Sequence, residues 1–318
     1  MNACLFLGLS VLLLAGSFLV IAIHFYNLSL RPKGKKARDP RTLPTPDGTV
    51  RQQLSEGRRW LLERSGCGHV FLPSPDGLML HAYYQEQQSH RWAVCVHGYW
   101  DSASGMGYWA RHYAELGWNY LLPDLRGHGR SEGGYVGMGW PDRLDILMWL
   151  RWIQLRDPGA EVVLHGVSMG ASAVLMATGE RTLPPAVRAA VSDCAFSCTY
   201  DQFRHITENK MKLRLPFPLI MAILRVAAKI RAGYDLLDAS AEKQVRSSAT
   251  PTLFIHGSGD LFVPAHMLDT IYNAAACPKA RLLIPGAGHT AAAPTDPELY
   301  WETVDSFLAR YFNGGIRS

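Results

Sequence analysis

The stretch Leu164–Ala171 reads LHGVSMGA, a serine held between two glycines, Gly166-Val167-Ser168-Met169-Gly170, directly after an apolar run. A strand ending in a sharp turn into a helix accounts for this pattern. The glycines let strand and helix approach without a Cβ clash, and the Ser168 hydroxyl projects at the strand's carboxyl end. A serine hydroxyl attacks a carbonyl only when a neighbouring base takes its proton, and that base, a histidine, needs a carboxylate to fix its tautomer. Two downstream residues fit. Asp260 ends His-Gly-Ser-Gly-Asp, and His289 follows Pro285-Gly286-Ala287-Gly288. The order serine, acid, histidine is the one expected when the serine sits on a strand–turn–helix. Asp193 is the rival acid, and Asp260 also reads as a helix N-cap near Pro264. His289 also reads as a surface loop histidine. His97, His128, His165 and His256 lie near strand ends too, each beside glycine in a structural turn. An acyl-transfer intermediate further needs amide donors for its oxyanion. The Met169 N–H is one. The Tyr99 N–H, after His97-Gly98, is the other, with Trp100 or Asp101 as alternatives.

A Gly-x-Ser-x-Gly pattern recurs by chance, so the elements that would position these groups decide its meaning. His69–Leu72 and Leu78–Tyr84 read as a hairpin around Pro73-Ser74-Pro75-Asp76-Gly77. Apolar runs then follow at Trp92–Val96, Asn119–Pro123, Glu161–His165, Val187–Ser192, Thr252–His256 and Arg281–Ile284. Helical patterns separate or follow them at Ser104–Leu116, Pro141–Arg156, Met169–Gly179, Pro264–Ala275 and Asp296–Phe312. Short apolar strands alternating with helices predict an α/β fold, a mostly parallel sheet covered on both faces. Ligands of such sheets bind outside the carboxyl ends of the strands. Chemistry gathers there: HGYWDSASG, DLRGHGRSEGG, the serine turn, GSGDLFVP and PGAGH each follow a run.

The chain has 318 residues, 48% of them hydrophobic, enough for one large core. Cys4, Cys67, Cys95, Cys194, Cys198 and Cys277 are scattered, which fits buried free thiols better than a disulfide framework. Cys194, Cys198 and His205 carry zinc-type donors but lack a four-ligand spacing. Ala3–Ile23 contains no charge over 21 residues. At about 1.5 Å per residue it spans about 31 Å, close to a bilayer core. A single-pass membrane anchor over residues 1–27 is therefore expected, in preference to a cleaved signal peptide. Arg31–Arg41 holds six Lys/Arg and one Asp, net +5, which equals the net charge of the whole chain. The rest sums to zero, so the charge gives no support to nucleic-acid binding. The basic flank and the reduced-looking cysteines predict a cytoplasmic catalytic domain. Residues 28–67 read as a basic juxtamembrane connector ending in a helix, Arg51–Arg64, docked by Trp60, Leu61 and Leu62.

HGYWDS, PDLRGHGRSEG, GVSMG, HGSGDLFVP and GAGH, in this order, resemble the α/β-hydrolase superfamily over about residues 68–313. Within it, the sequence is similar to bacterial membrane-anchored members of the serine-aminopeptidase-like and monoacylglycerol-lipase-like branch. The resemblance implies an α/β-hydrolase domain over 68–318 with a helical cap at about 195–248, and neither metal nor organic cofactor. No residues match a peptidase's recognition of a free amino terminus. Leu215–Arg231 reads as an apolar cap helix, with the alternative that it lies on a bilayer and admits lipid-like esters. The expected activity is cleavage of carboxylic esters through an acyl-enzyme on Ser168. An amide or peptide hydrolase using the same residues, and a non-catalytic membrane-bound binding module, are the alternatives. The expected partners are a small-molecule ester, lipid-like or not, and the membrane through the N-terminal helix.

Overall fold

A computed structural model describes residues 2–32, 48–211 and 216–312. Most of the basic run Arg31–Arg41 lies outside the described residues. The six apolar runs form strands; five are buried on both faces of a sheet, as continuous apolar segments of about six residues are, and the last, Arg281–Ile284, keeps Leu283 exposed. In chain order the strands are β1 (Gly68–Pro73), β2 (Met79–Gln85), β3 (Arg91–Val96), β4 (Asn119–Pro123), β5 (Glu161–Val167), β6 (Val187–Asp193), β7 (Thr252–Gly257) and β8 (Lys279–Ile284). They make one eight-stranded sheet in the order β1-β2-β4-β3-β5-β6-β7-β8. β2 runs antiparallel to both β1 and β4, and every other pair is parallel.

From β3 the chain moves outward to β4, then returns to the other side of β3 as β5. This reversal opens a crevice at the carboxyl ends of β3 and β5. The crossover helices are α3 (Gly107–Glu115), α4 (Asp142–Arg156), α5 (Met169–Thr178) and α9 (His266–Ala274), followed by the terminal α10 (Ala292–Thr295) and α11 (Pro297–Leu308). Between β6 and β7 lies a longer excursion. It holds α6 (Thr199–His205), a π-helical turn at Ile206–Met211, α7 (Phe217–Ala232) and α8 (Ala241–Val245). Each face of the sheet carries its own core. Ile146, Leu150, Val174 and Leu224 belong to one, and Trp109, Tyr113, Val304 and Phe307 to the other.

Two helices precede the sheet, α1 (Asn2–Ser29) and α2 (Gly48–Glu63). Among the described residues, no helix is long and apolar enough to cross a membrane. The expectation of a single-pass anchor over 1–27 is therefore not supported. The C-terminal end of α1 and the residues just after it pack on the protein. Phe25, Tyr26 and Leu30 are buried, the Val136 N–H donates to the Leu30 carbonyl at 2.7 Å, and the Arg231 guanidinium lies 5.2 Å from the Tyr26 ring centroid. α2 also departs from expectation. Its buried face is Val50, Leu54, Gly57 and Leu61, whereas Leu62 points outward. Gly57 is required there, because a Cβ would come within 2.5 Å of the Tyr108 backbone.

Candidate active site

Ser168 sits between β5 and α5 with φ 57° and ψ −122°. A non-glycine residue adopts such a conformation only where its surroundings over-determine it. The surroundings do so here. A Cβ at Gly166 would meet the Gly170 carbonyl oxygen at 2.4 Å, and one at Gly170 would meet the Val96 carbonyl oxygen at 2.1 Å. The two glycines thus let α5 press against the ends of β3 and β5. The Ser168 N–H donates to the Asp193 carbonyl at 2.8 Å, and its own carbonyl accepts from Ser172 at 3.0 Å. The hydroxyl is turned into the crevice and almost covered.

Ser168 Oγ lies 2.9 Å from His289 Nε2, and His289 Nδ1 lies 2.7 Å from Asp260 Oδ2. A carboxylate only accepts, so Nδ1 carries the proton, and Nε2 is left to accept from the serine hydroxyl. The Asp260 Oδ1 accepts from the Phe262 and Val263 amides at 2.8 and 2.9 Å. Burial works against ionisation of Asp260. The His289 charge and the bonds from the His256 and His289 imidazoles outweigh it and hold the carboxyl far below the usual range. The loops carrying the acid and the imidazole are laced together. The Gly286 N–H donates to Ser258 Oγ at 2.8 Å, and the Gly259 N–H donates to the Ala287 carbonyl at 3.0 Å. Phe262 packs on the His289 ring, with centroids 4.9 Å apart. The three residues singled out from the sequence, far apart along the chain, therefore converge.

The remaining candidates have other places. Asp193 does not hold His289; its Oδ2 accepts from the Tyr300 hydroxyl at 3.0 Å. That hydroxyl lies 3.0 Å from His165 Nε2, and His165 Nδ1 lies 2.9 Å from the Tyr113 hydroxyl. This buried chain lies beneath the site. Burial raises Asp193 to about 6 and lowers His165 to about 3. His97 staples two strand ends, because its Nε2 accepts from the Leu125 N–H at 3.0 Å and its Nδ1 lies 2.8 Å from the Gly98 carbonyl. His128 stacks edge-on against His97 and is lowered by burial to about 3. His256 touches the acid from its other side: Nε2 bonds the Val263 carbonyl at 2.9 Å and lies 3.5 Å from Asp260 Oδ2. Sequence reading placed His256 in a turn and did not give it this contact. Its spacing of four from Asp260 was the available signal.

Met169 opens α5, and Tyr99 follows Gly98, whose Cβ would lie 3.1 Å from the Ser168 Cβ and 3.5 Å from its Oγ. The Gly98-Tyr99 backbone is therefore within close reach of the hydroxyl. Among the described residues, donor atoms of Cys194, Asp260 and His289 also lie within 4.8 Å of one another. Two of these already bond each other, and burial keeps the Cys194 thiol protonated. Cys198 instead caps α6, accepting from the Asp201 N–H, and His205 bonds the Leu261 carbonyl. Ser168 borders two cavities, one of 230 Å³ and one of 260 Å³, which also share Tyr99, Trp100 and Phe262.

A sharp serine turn after β5, an acid after β7 and an imidazole after β8, on this strand order, make up the α/β-hydrolase fold. The serine aminopeptidase family S33 matches residues 87–217. The chain is similar to the uncharacterized protein YqkD of Bacillus subtilis, 27% identical over 197 residues that cover 62% of this chain. The match spans 64% of that relative's length. Among solved structures, the esterase Pf2001 of Pyrococcus furiosus superposes with a TM-score of 0.63 at 20% identity, covering 87% of this chain and 99% of that one. Est1E of Butyrivibrio proteoclasticus, solved with ferulic acid bound, superposes with a TM-score of 0.59 at 20% identity over 76% of this chain and 98% of that one.

Proposed function

We propose that the protein is a serine hydrolase that cleaves carboxylic esters through an acyl-enzyme on Ser168. The observation that carries this reading is the unbroken relay from Ser168 Oγ through His289 to Asp260, at 2.9 and 2.7 Å. In the mechanism, His289 Nε2 takes the serine proton as the hydroxyl attacks the ester carbonyl. Asp260 holds the imidazole in the required tautomer and stabilises the imidazolium. The Met169 and Tyr99 amides, at the start of α5 and in the loop after β3, face the developing oxyanion. His289 then gives its proton to the departing alcohol, and water repeats the cycle to release the acid. The residues from α6 to α8 act as a cap over the site, within a hydrolase domain over 68–318.

The serine aminopeptidase match favours amide cleavage as the second reading. A panel of p-nitrophenyl esters and aminoacyl anilides, run on the full chain, separates the two. Turnover of esters that disappears in Ser168→Ala, together with fluorophosphonate labelling that disappears in the same variant, is the expected result. Labelling that persists without the hydroxyl refutes the assignment. Anilide turnover in the absence of ester turnover moves the protein to the second reading.

A further inference from the structure

The two cavities meeting at Ser168 are not equivalent, and the N-terminal helices wall both. The 230 Å³ cavity is bordered by His289 and Thr290, and on its far side by Leu54 and Arg58 of α2. The 260 Å³ cavity lies past Met169 and lacks His289 at its border. Phe203, Ile220 and Leu224 wall it from the excursion between β6 and β7, and Phe25 and Leu28 wall it from α1. An imidazole that must protonate the departing oxygen fixes which side the alcohol takes. The alcohol belongs beside His289, and the acyl group extends the other way, past Met169.

We infer that α1 closes an acyl-binding cavity, so that the favoured substrates are esters of apolar acyl groups, with the alcohol seated against α2. The inference rests on the serine-hydrolase reading and adds which part of the chain selects the substrate. α1 is seated firmly enough to be a wall. The Tyr99 hydroxyl donates to the Ser29 carbonyl at 2.5 Å, and Leu30 is bonded and fully buried. The same tyrosine follows Gly98 at the reacting hydroxyl, so the end of α1 also steadies the loop that carries the Tyr99 amide. The ion pair of Arg58 with Asp101, 2.9 Å, makes the α2 side the more polar one.

The test is a chain-length series of p-nitrophenyl esters on the full chain and on Leu28→Trp and Leu28→Ala. The indole fills the cavity from α1, so the ratio of kcat/KM for octanoate over acetate falls about tenfold or more. The alanine deepens it, and the optimum moves to longer chains. Thermal unfolding checks that both variants fold. Leu54→Trp is the contrast, since it lowers the ratio of naphthyl over ethyl acetate and acts on alcohol size at fixed acyl group. An octanoate-to-acetate ratio that stays within twofold in folded Leu28→Trp overturns the inference. Labelling of wild-type Ser168 by a small fluorophosphonate keeps the two failures apart. A labelled enzyme with an unmoved ratio loses only the cavity assignment, whereas an unlabelled one loses the hydrolase reading itself.

Discussion

At the scale of single residues, the relay makes Ser168, His289 and Asp260 unequal. Ser168→Ala removes the proposed nucleophile, and kcat for ester cleavage is expected to fall by about 10⁴-fold or more. Asp260→Asn keeps the shape but offers an amide where a carboxylate accepted from His289 Nδ1. The imidazole then favours the tautomer with its proton facing the serine, and kcat falls by about 10⁴-fold. Steady-state kinetics on an ester cleaved by the wild type measures both. A fall of less than about tenfold in Asp260→Asn contradicts the assigned acid and returns attention to Asp193. His256 touches Asp260 at 3.5 Å without facing the serine. His256→Gln therefore reduces kcat far less than Asp260→Asn.

At the scale of elements, the tight seat of α5 against β3 and β5 depends on Gly166 and Gly170, and Gly98 adds the loop after β3. Gly170→Ala puts a methyl group 2.1 Å from the Val96 carbonyl oxygen, which is backbone and cannot move aside. This variant is expected to lose soluble folded protein. Gly98→Ala meets the Ser168 Cβ at 3.1 Å, so it folds but crowds the hydroxyl, and turnover falls with little change in thermal unfolding. In α4, Asp142 is completely buried and raised by burial to about 7, although Arg126 opposes the shift. A carboxyl with a folded pKa above its unfolded value binds more protons when native, so it contributes stability in acid that is lost as pH rises towards 7. Asp142→Asn keeps an acceptor for the Gly139 N–H and removes that loss. Relative to wild type, the variant gains on the order of 1–4 kcal/mol on going from pH 4 to pH 8. Urea unfolding at the two pH values checks it, and equal differences at both would show Asp142 ionised throughout.

At the scale of the whole molecule, buried titratable groups set how stability follows pH. Asp142 and Asp193, raised to about 7 and about 6, lose stability as pH rises from about 4. His128 and His165, lowered to about 3 by burial, act oppositely: their neutral folded forms cost stability as pH falls below about 6.5. Between about pH 4 and 6.5 the two sets oppose each other. Below about pH 4 the depressed carboxyls of Asp124 and Asp260 join the histidines, because groups held ionised in the fold must take up protons. A plateau in the urea midpoint from pH 5 to 6.5, with a steep loss below pH 4, is the expected profile. A midpoint that rises steadily towards pH 3 contradicts these burial assignments.

Much of this molecule was legible before any coordinates. The buried strands announce themselves as apolar runs, because a parallel sheet covered on both faces has no polar side to alternate with. Glycine turns at the strand ends mark where backbones approach, and the order of serine, acid and histidine follows from which ends carry them. What sequence could not decide was anything set by packing between distant elements. The uncharged N-terminal run invites reading as a membrane span, and only the burial of Phe25, Tyr26 and Leu30 reveals that its end is seated on the protein. The outward turn of Leu62, the contact of His256 with Asp260 and the placement of Asp193 under Tyr300 likewise depend on which neighbours the fold supplies. Local chemistry along a chain fixes its elements and its reactive groups. The shape of the space around those groups belongs to residues brought together from everywhere else, and only the tertiary structure decides it.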